Sequence, residues 1–232
     1  MRPMFLLPLL LSLAALHSTT PAHASWPSTN SASVPLCSDC LLASHPVAAS
    51  DGAGGAVVFA LDSVPPANNG TGFGLSAHRV RVDGTRAPGW PANGVPACPT
   101  AQTIGVVAAA DDGAGGAYAA WTDGRSGASE LRAQHVRPDG AVDPAWPDSG
   151  WAFCPAAVFP GSLKAAADGE GGLFVWWSDQ RDTDNHGIMI VLQRLKPNGM
   201  IADGLPADRG DGGFVRRRHD DRGARAGRQR RR

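Results

Sequence analysis

Apolar residues gather in three short runs along a chain of 232 residues: 56–61, 117–121 and 173–177. Each run is close to continuous rather than alternating, and each is too short for most helices. An Asp-Gly-x-Gly-Gly segment precedes each one, beginning at Asp51, Asp112 and Asp168. Glycine accepts positive φ and Asp bonds to nearby backbone, so the chain reverses sharply there. The pattern predicts a tight turn leading into a strand covered on both faces. Polar residues resume at Asp62, at Thr122-Asp123-Gly124-Arg125 and at Ser178-Asp179-Gln180-Arg181.

Two further segments follow each turn. The first reads A-H-R-V-R-V-D-G at 77–84, A-Q-H-V-R-P-D-G at 133–140 and L-Q-R-L-K-P-N-G at 192–199. It ends in Asp-Gly or Asn-Gly, which are strong turn dipeptides. The second reads G-W-P-A-N-G-V-P-A-C-P at 89–99 and A-W-P-D-S-G-W-A-F-C-P at 145–155. The third unit begins this segment at Asp203-Gly204-Leu205-Pro206 and then loses it. Asp51 to Asp112 is 61 residues and Asp112 to Asp168 is 56; Cys37 to Cys98 and Cys98 to Cys154 give the same two intervals. His78 to Gln134 is 56 residues and Gln134 to Gln193 is 59. A repeat of this length, with several short strands and no helical periodicity, suits a four-stranded propeller blade. The predicted fold is all-β: tandem four-stranded antiparallel blades forming a partial β-propeller of about three and a half blades.

The flanks have a different character. Residues 1–24 have the layout of a secretory signal: Arg2, an apolar stretch over 5–16 and an Ala22-His23-Ala24 cleavage site. The apolar stretch falls short of the ~20 residues that span a bilayer. The expected protein is therefore exported, to the periplasm, the cell surface or the medium, without a membrane span once the signal is removed. Residues 25–33 are rich in Ser, Thr, Asn and Pro and are expected to be a disordered lead. Residues 34–40 resemble the Gly-Val-Pro-Ala-Cys end of a unit and are expected to form the last strand of a partial blade. Three units follow at 41–99, 100–155 and 156–209.

Charge divides the chain again. The last seventeen residues hold nine Arg. Setting aside those nine and Arg2 leaves 11 of the 21 basic residues, and setting aside Asp220 and Asp221 leaves 19 of the 21 acidic ones, so the body is about −8. The Arg-rich tail at 210–232 is expected to be disordered. It reads either as an arm for polyanions or, better, as the product of a shifted frame in a GC-rich gene, so nucleic acid is not an expected partner.

Candidate chemistry is thin. Cys37 and Cys40 form a C-x-x-C for which a disulfide is the reading in an exported chain; the strand-to-helix setting of a redox motif and a second zinc-ligand pair are both missing. Asp123 with Arg125, and Asp179 with Arg181, stand two apart where a strand ends, so each pair shares a face. They read as salt bridges of the fold, or else as ligand-facing pairs on a propeller rim. The Asp-Gly-x-Gly-Gly turns lack the alternating acids of a calcium loop, and no cofactor is expected. Trp90, Trp121, Trp146, Trp176 and Trp177 read as core aromatics before they read as a sugar platform.

At these residues the chain resembles repeats of large exported bacterial proteins, with D-G-x-G-G-x-x-x-x-W-x-D-x-R, then Q-x-[IVL]-x-x-x-G, then W-x-x-x-G-v-p-l-C. Residues 112–125, 134–140 and 146–154 match all three parts, and 168–181 and 193–199 match the first two. The first unit departs: Leu61 is taken to replace the Trp, no Arg follows Asp62, and His78 replaces the Gln. There is a remoter likeness to the Asp-box turns of sialidase propellers, but the Ser-x-Asp-x-Gly-x-x-Trp order is not met and no catalytic residue carries over. The resemblance implies propeller-type blades in an exported protein and assigns no function; the expected function is that of a non-catalytic repeat protein that binds carbohydrate or protein. The alternatives are a sialidase-like glycoside hydrolase and a truncated, frameshifted fragment without independent function.

Overall fold

The computed structural model describes residues 33–37, 40, 44–63, 73–99, 105–155, 157, 161–180 and 188–203. The expected signal at 1–24, nearly all of the lead at 25–33 and the tail at 210–232 lie outside the described residues. Eleven strands are described and no helix, so no described helix is long and apolar enough to cross a membrane.

The strands form three antiparallel sheets in chain order. Blade 1 holds β1 (Ser44–Ser50), β2 (Ala56–Ser63), β3 (Phe73–Val80) and β4 (Val95–Cys98). Blade 2 holds β5 (Val107–Asp111), β6 (Ala117–Asp123), β7 (Glu130–Val136) and β8 (Trp151–Cys154). Blade 3 holds β9 (Gly161–Ala167), β10 (Leu173–Asp179) and β11 (Met189–Leu195). Each sheet is a meander of nearest neighbours in sequence. β1 packs on β5 and β5 on β9, so the first strands crowd together while the later ones fan outward. That is the arrangement of propeller blades.

Burial follows position in the stack. Every residue of β6 is buried, because blade 2 is covered on both faces. In β10 burial alternates: Leu173, Val175, Trp177 and Asp179 face blade 2, while Phe174, Trp176 and Ser178 are only half-buried. Two apolar cores result. One joins Phe59, Leu75 and Cys98 of blade 1 to Val107, Ala119 and Trp121 of blade 2. The other joins Tyr118, Leu131, Phe153 and Cys154 of blade 2 to Leu163, Val175 and Trp177 of blade 3.

Two expectations need correction. Residues 34–37 and 40 are in no strand, so among the described residues the last strand of a partial blade is not formed. Blade 3 has three strands among the described residues; the place of its expected fourth strand follows Asp203 and lies outside them. Finally, Trp121 pairs with Arg132 and Thr122 with Leu131, whereas Ala60 pairs with Ser76 and Leu61 with Leu75. Ala60, not Leu61, therefore stands in the Trp position of the first unit.

Candidate functional site

The Asp-Gly-x-Gly-Gly motif is explained by one carboxylate. In blade 2, Asp112 Oδ1 accepts the backbone N–H of Ala114 at 2.7 Å and of Gly116 at 2.9 Å. Asp51 accepts Ala53 and Gly55 in the same way, and Asp168 accepts Glu170 and Gly172. Gly116 is needed for closeness: a Cβ there would lie 2.4 Å from the Val136 carbonyl oxygen of the neighbouring strand. The other carboxylate oxygen meets a basic side chain from the third strand of its own blade. Arg79 donates to Asp51 at 3.0 Å, His135 Nε2 lies 2.9 Å from Asp112, and Arg194 Nε donates to Asp168 at 2.8 Å. Burial alone would raise the Asp51 and Asp168 carboxyls. The backbone N–H groups and the Arg partners outweigh it and hold both below the ordinary carboxylate value.

The W-x-D-x-R motif is a second lock, at the opposite end of the blade. Asp123 is fully buried. Its Oδ2 accepts Trp121 Nε1 at 3.0 Å, and its Oδ1 accepts the backbone N–H and the Nε of Arg125 at 2.9 Å each. Arg125 also donates to Cys98 Sγ of blade 1 at 3.3 Å. Burial opposes ionisation of Asp123, but the Arg125 and Trp121 bonds win and lower its pKa; the same Asp123 bond raises Arg125. Asp179 repeats the first half, accepting Trp177 Nε1 at 2.9 Å. Arg181 lies outside the described residues. The structure thus turns the Asp123–Arg125 pair inward, onto Trp121 and the preceding blade.

A third device crosses each seam. Trp90 Nε1 of blade 1 donates to the Pro138 carbonyl of blade 2, and Trp146 Nε1 of blade 2 donates to the Pro197 carbonyl of blade 3 at 2.8 Å. Of the five Trp singled out from sequence, Trp90, Trp121, Trp146 and Trp177 are buried, and Trp176 is half-exposed.

The densest polar cluster was not read from sequence. His135 sits between Asp112 and Asp143, each at 2.9 Å, and its ring stacks on Tyr118 with centroids 4.3 Å apart. The Tyr118 hydroxyl donates to the Gly171 carbonyl of blade 3, and burial pushes its pKa up, so it keeps its proton. Chemically this could pass as an acid–base site. Its repeat position says otherwise, because His135 fills the place of Arg79 and Arg194. The signal was available: a basic residue follows each of His78, Gln134 and Gln193.

Cys37 and Cys40 are joined by a disulfide, and Cys98 and Cys154 are buried and form none. No group of three His, Cys, Asp or Glu residues suited to a metal occurs among the described residues.

No protein-family model and no curated protein matches the chain. Among solved structures it is similar to an endo-arabinase from Bacteroides thetaiotaomicron, at 17% identity and a TM-score of 0.39. The match covers 68% of this chain and 58% of that one, so the chain spans less than two thirds of that structure's length.

Proposed function

We propose that the chain is an exported, non-catalytic repeat protein of the bacterial D-G-x-G-G…W-x-D-x-R type, acting at the cell surface or outside the cell. On this reading it engages protein or carbohydrate through a blade face. One observation carries it. The repeated charged pairs are turned on one another and on neighbouring blades, while three of the large apolar side chains left in solvent, Ile188, Ile190 and Leu192, stand together on or beside β11, apart from Val82 and Met200. Exposed apolar groups that cluster rather than scatter mark binding surfaces. Catalysis by a glycoside hydrolase needs two carboxylates free to act on substrate. Here Asp51, Asp123 and Asp168 are each engaged by several donors.

The test sets two measurements on the purified chain side by side: binding to immobilised glycans and surface proteins, and hydrolysis of a panel of fluorogenic glycosides. Saturable binding that falls when Leu192 is replaced by Asp, with no turnover, is the expected result. Turnover that survives repurification and vanishes in an active-site carboxylate variant would instead establish the hydrolase reading.

A further inference from the structure

We infer that the exposed face of blade 3 is a docking site for a second copy of this chain, joined head to tail. In that contact the partner's Val34-Pro35-Leu36-Cys37 adds to the outer edge of β11 as its fourth strand. This rests on the protein-binding reading above and names the partner.

The face is built like the two seams already in the molecule. Pairing along the sheets makes Ile190 the counterpart of Leu75 and Leu131, and Leu192 the counterpart of Ala77 and Ala133. Those four are 1% exposed or less, because each packs under a fourth strand and the next blade. Ile190 is 71% exposed and Leu192 54%. Phe174 and Trp176, in the places of Tyr118 and Ala120, complete an apolar surface of the kind that is closed in blades 1 and 2.

The missing piece is present elsewhere in the chain. Residues 34–37 read V-P-L-C, against V-P-A-C in β4. The spacing onward is also kept: Cys98 to Val107, Cys154 to Leu163 and Cys37 to Pro46 are each nine residues. In this structure residues 34–36 belong to no sheet and line a cleft together with His78, Val80 and Arg86. Within the chain, the residues at the β4 and β8 offset after the third turn glycine are Gly210-Asp211-Gly212-Gly213. Gly and Asp are poor strand formers, whereas V-P-L-C suits an edge strand with its Pro pointing outward.

One segment would make both halves of the contact. After β4 and β8 the chain crosses to the next blade, whose first two strands cover the face just left. A partner strand at 34–37 would likewise lead to its own β1 and β2. Their outer face carries Pro46 and Ala48, both exposed, and Val58, half-buried. It is the face that Val107, Ala109 and Ala119 of blade 2 turn to blade 1. Ala60 in place of Trp makes it shallow, which suits the bulkier Ile190, Leu192 and Trp176 opposite. Such a contact uses unlike surfaces, so it closes into a ring or extends into a filament.

Sedimentation of the purified chain up to about 100 µM should show mass rising with concentration. Ile190→Asp with Leu192→Asp should weaken association at least about tenfold, and so should Val34→Asp with Ala48→Glu. All four side chains are partly or wholly exposed in the single chain, so far-UV spectra should be unchanged. Mixing the two double variants is decisive: each keeps the half the other lacks, so a one-to-one complex should form. A monomer at every concentration, association that ignores both variants, or failure of the mixture to pair would overturn the inference. A monomer that still captures glycan or another protein through Leu192 overturns it while leaving the protein- or carbohydrate-binding reading intact; a monomer that captures nothing removes both.

Discussion

Asp123 shows how one buried carboxylate decides a blade junction. Removing it leaves Arg125 without its anion and Trp121 Nε1 without its acceptor. Asp123→Ala should therefore lower stability by about 3 kcal/mol at pH 7, read from urea unfolding. The sign of the pH dependence follows from the lowered pKa values of Asp51, Asp123 and Asp168. The unfolded chain binds these protons more readily than the folded one. The stabilisation is complete above the unfolded value, near ~3.9, and is lost as pH falls through the lower folded values. The gap between Asp123→Ala and the unaltered chain should thus begin to narrow below about pH 4 and go on narrowing as the pH falls. Glycines make a second, sharper comparison. A Cβ at Gly150 would come within 2.4 Å of the Trp121 ring, whereas one at Gly113 meets open space, and both have positive φ. Gly113→Ala should cost about 1 kcal/mol from the backbone alone. Gly150→Ala should cost about 1–3 kcal/mol more by overpacking, seen as a lower unfolding midpoint.

At the scale of strands and turns, the sequence was legible wherever local chemistry dictates the outcome. Asp-Gly-x-Gly-Gly announces a reversal because its Asp bonds to the turn it begins, and the turn was found three times. The strands after it were equally plain. What stayed hidden was whatever depends on a neighbour. Residues 34–37 have the composition of β4, yet a strand forms only beside another strand, and none of the described strands pairs with them. The direction in which Asp123 and Arg125 face was open for the same reason, since Cys98 of another blade draws Arg125 inward. His135 escaped notice because a His among two Arg looks like an exception, although all three do one job. The seam clamps give this scale its own test. Trp146→Phe keeps the ring and loses the bond to the Pro197 carbonyl. The expected loss is about 1 kcal/mol, with amide exchange in β9–β11 accelerated more than in β1–β4.

For the molecule as a whole, stability runs along the stack, since the main contacts between the described strands of different blades join neighbouring blades. Arrays of this kind open from their less covered ends. Hydrogen exchange should be slowest in β6, buried throughout, and fastest in β11, whose outer edge is open among the described residues. Exchange that is uniform across the three sheets would show one cooperative block instead. The Trp–Pro clamps carry a consequence for how such a chain can lengthen. The indole N–H groups of Trp90 and Trp146 each reach forward to a backbone carbonyl of the following sheet. An in-phase tandem duplication of residues 100–155 would bring in one new donor and one new acceptor together. The count of unmet groups at the two ends would stay constant however many copies were inserted, so growth by whole units needs no redesign of any existing junction.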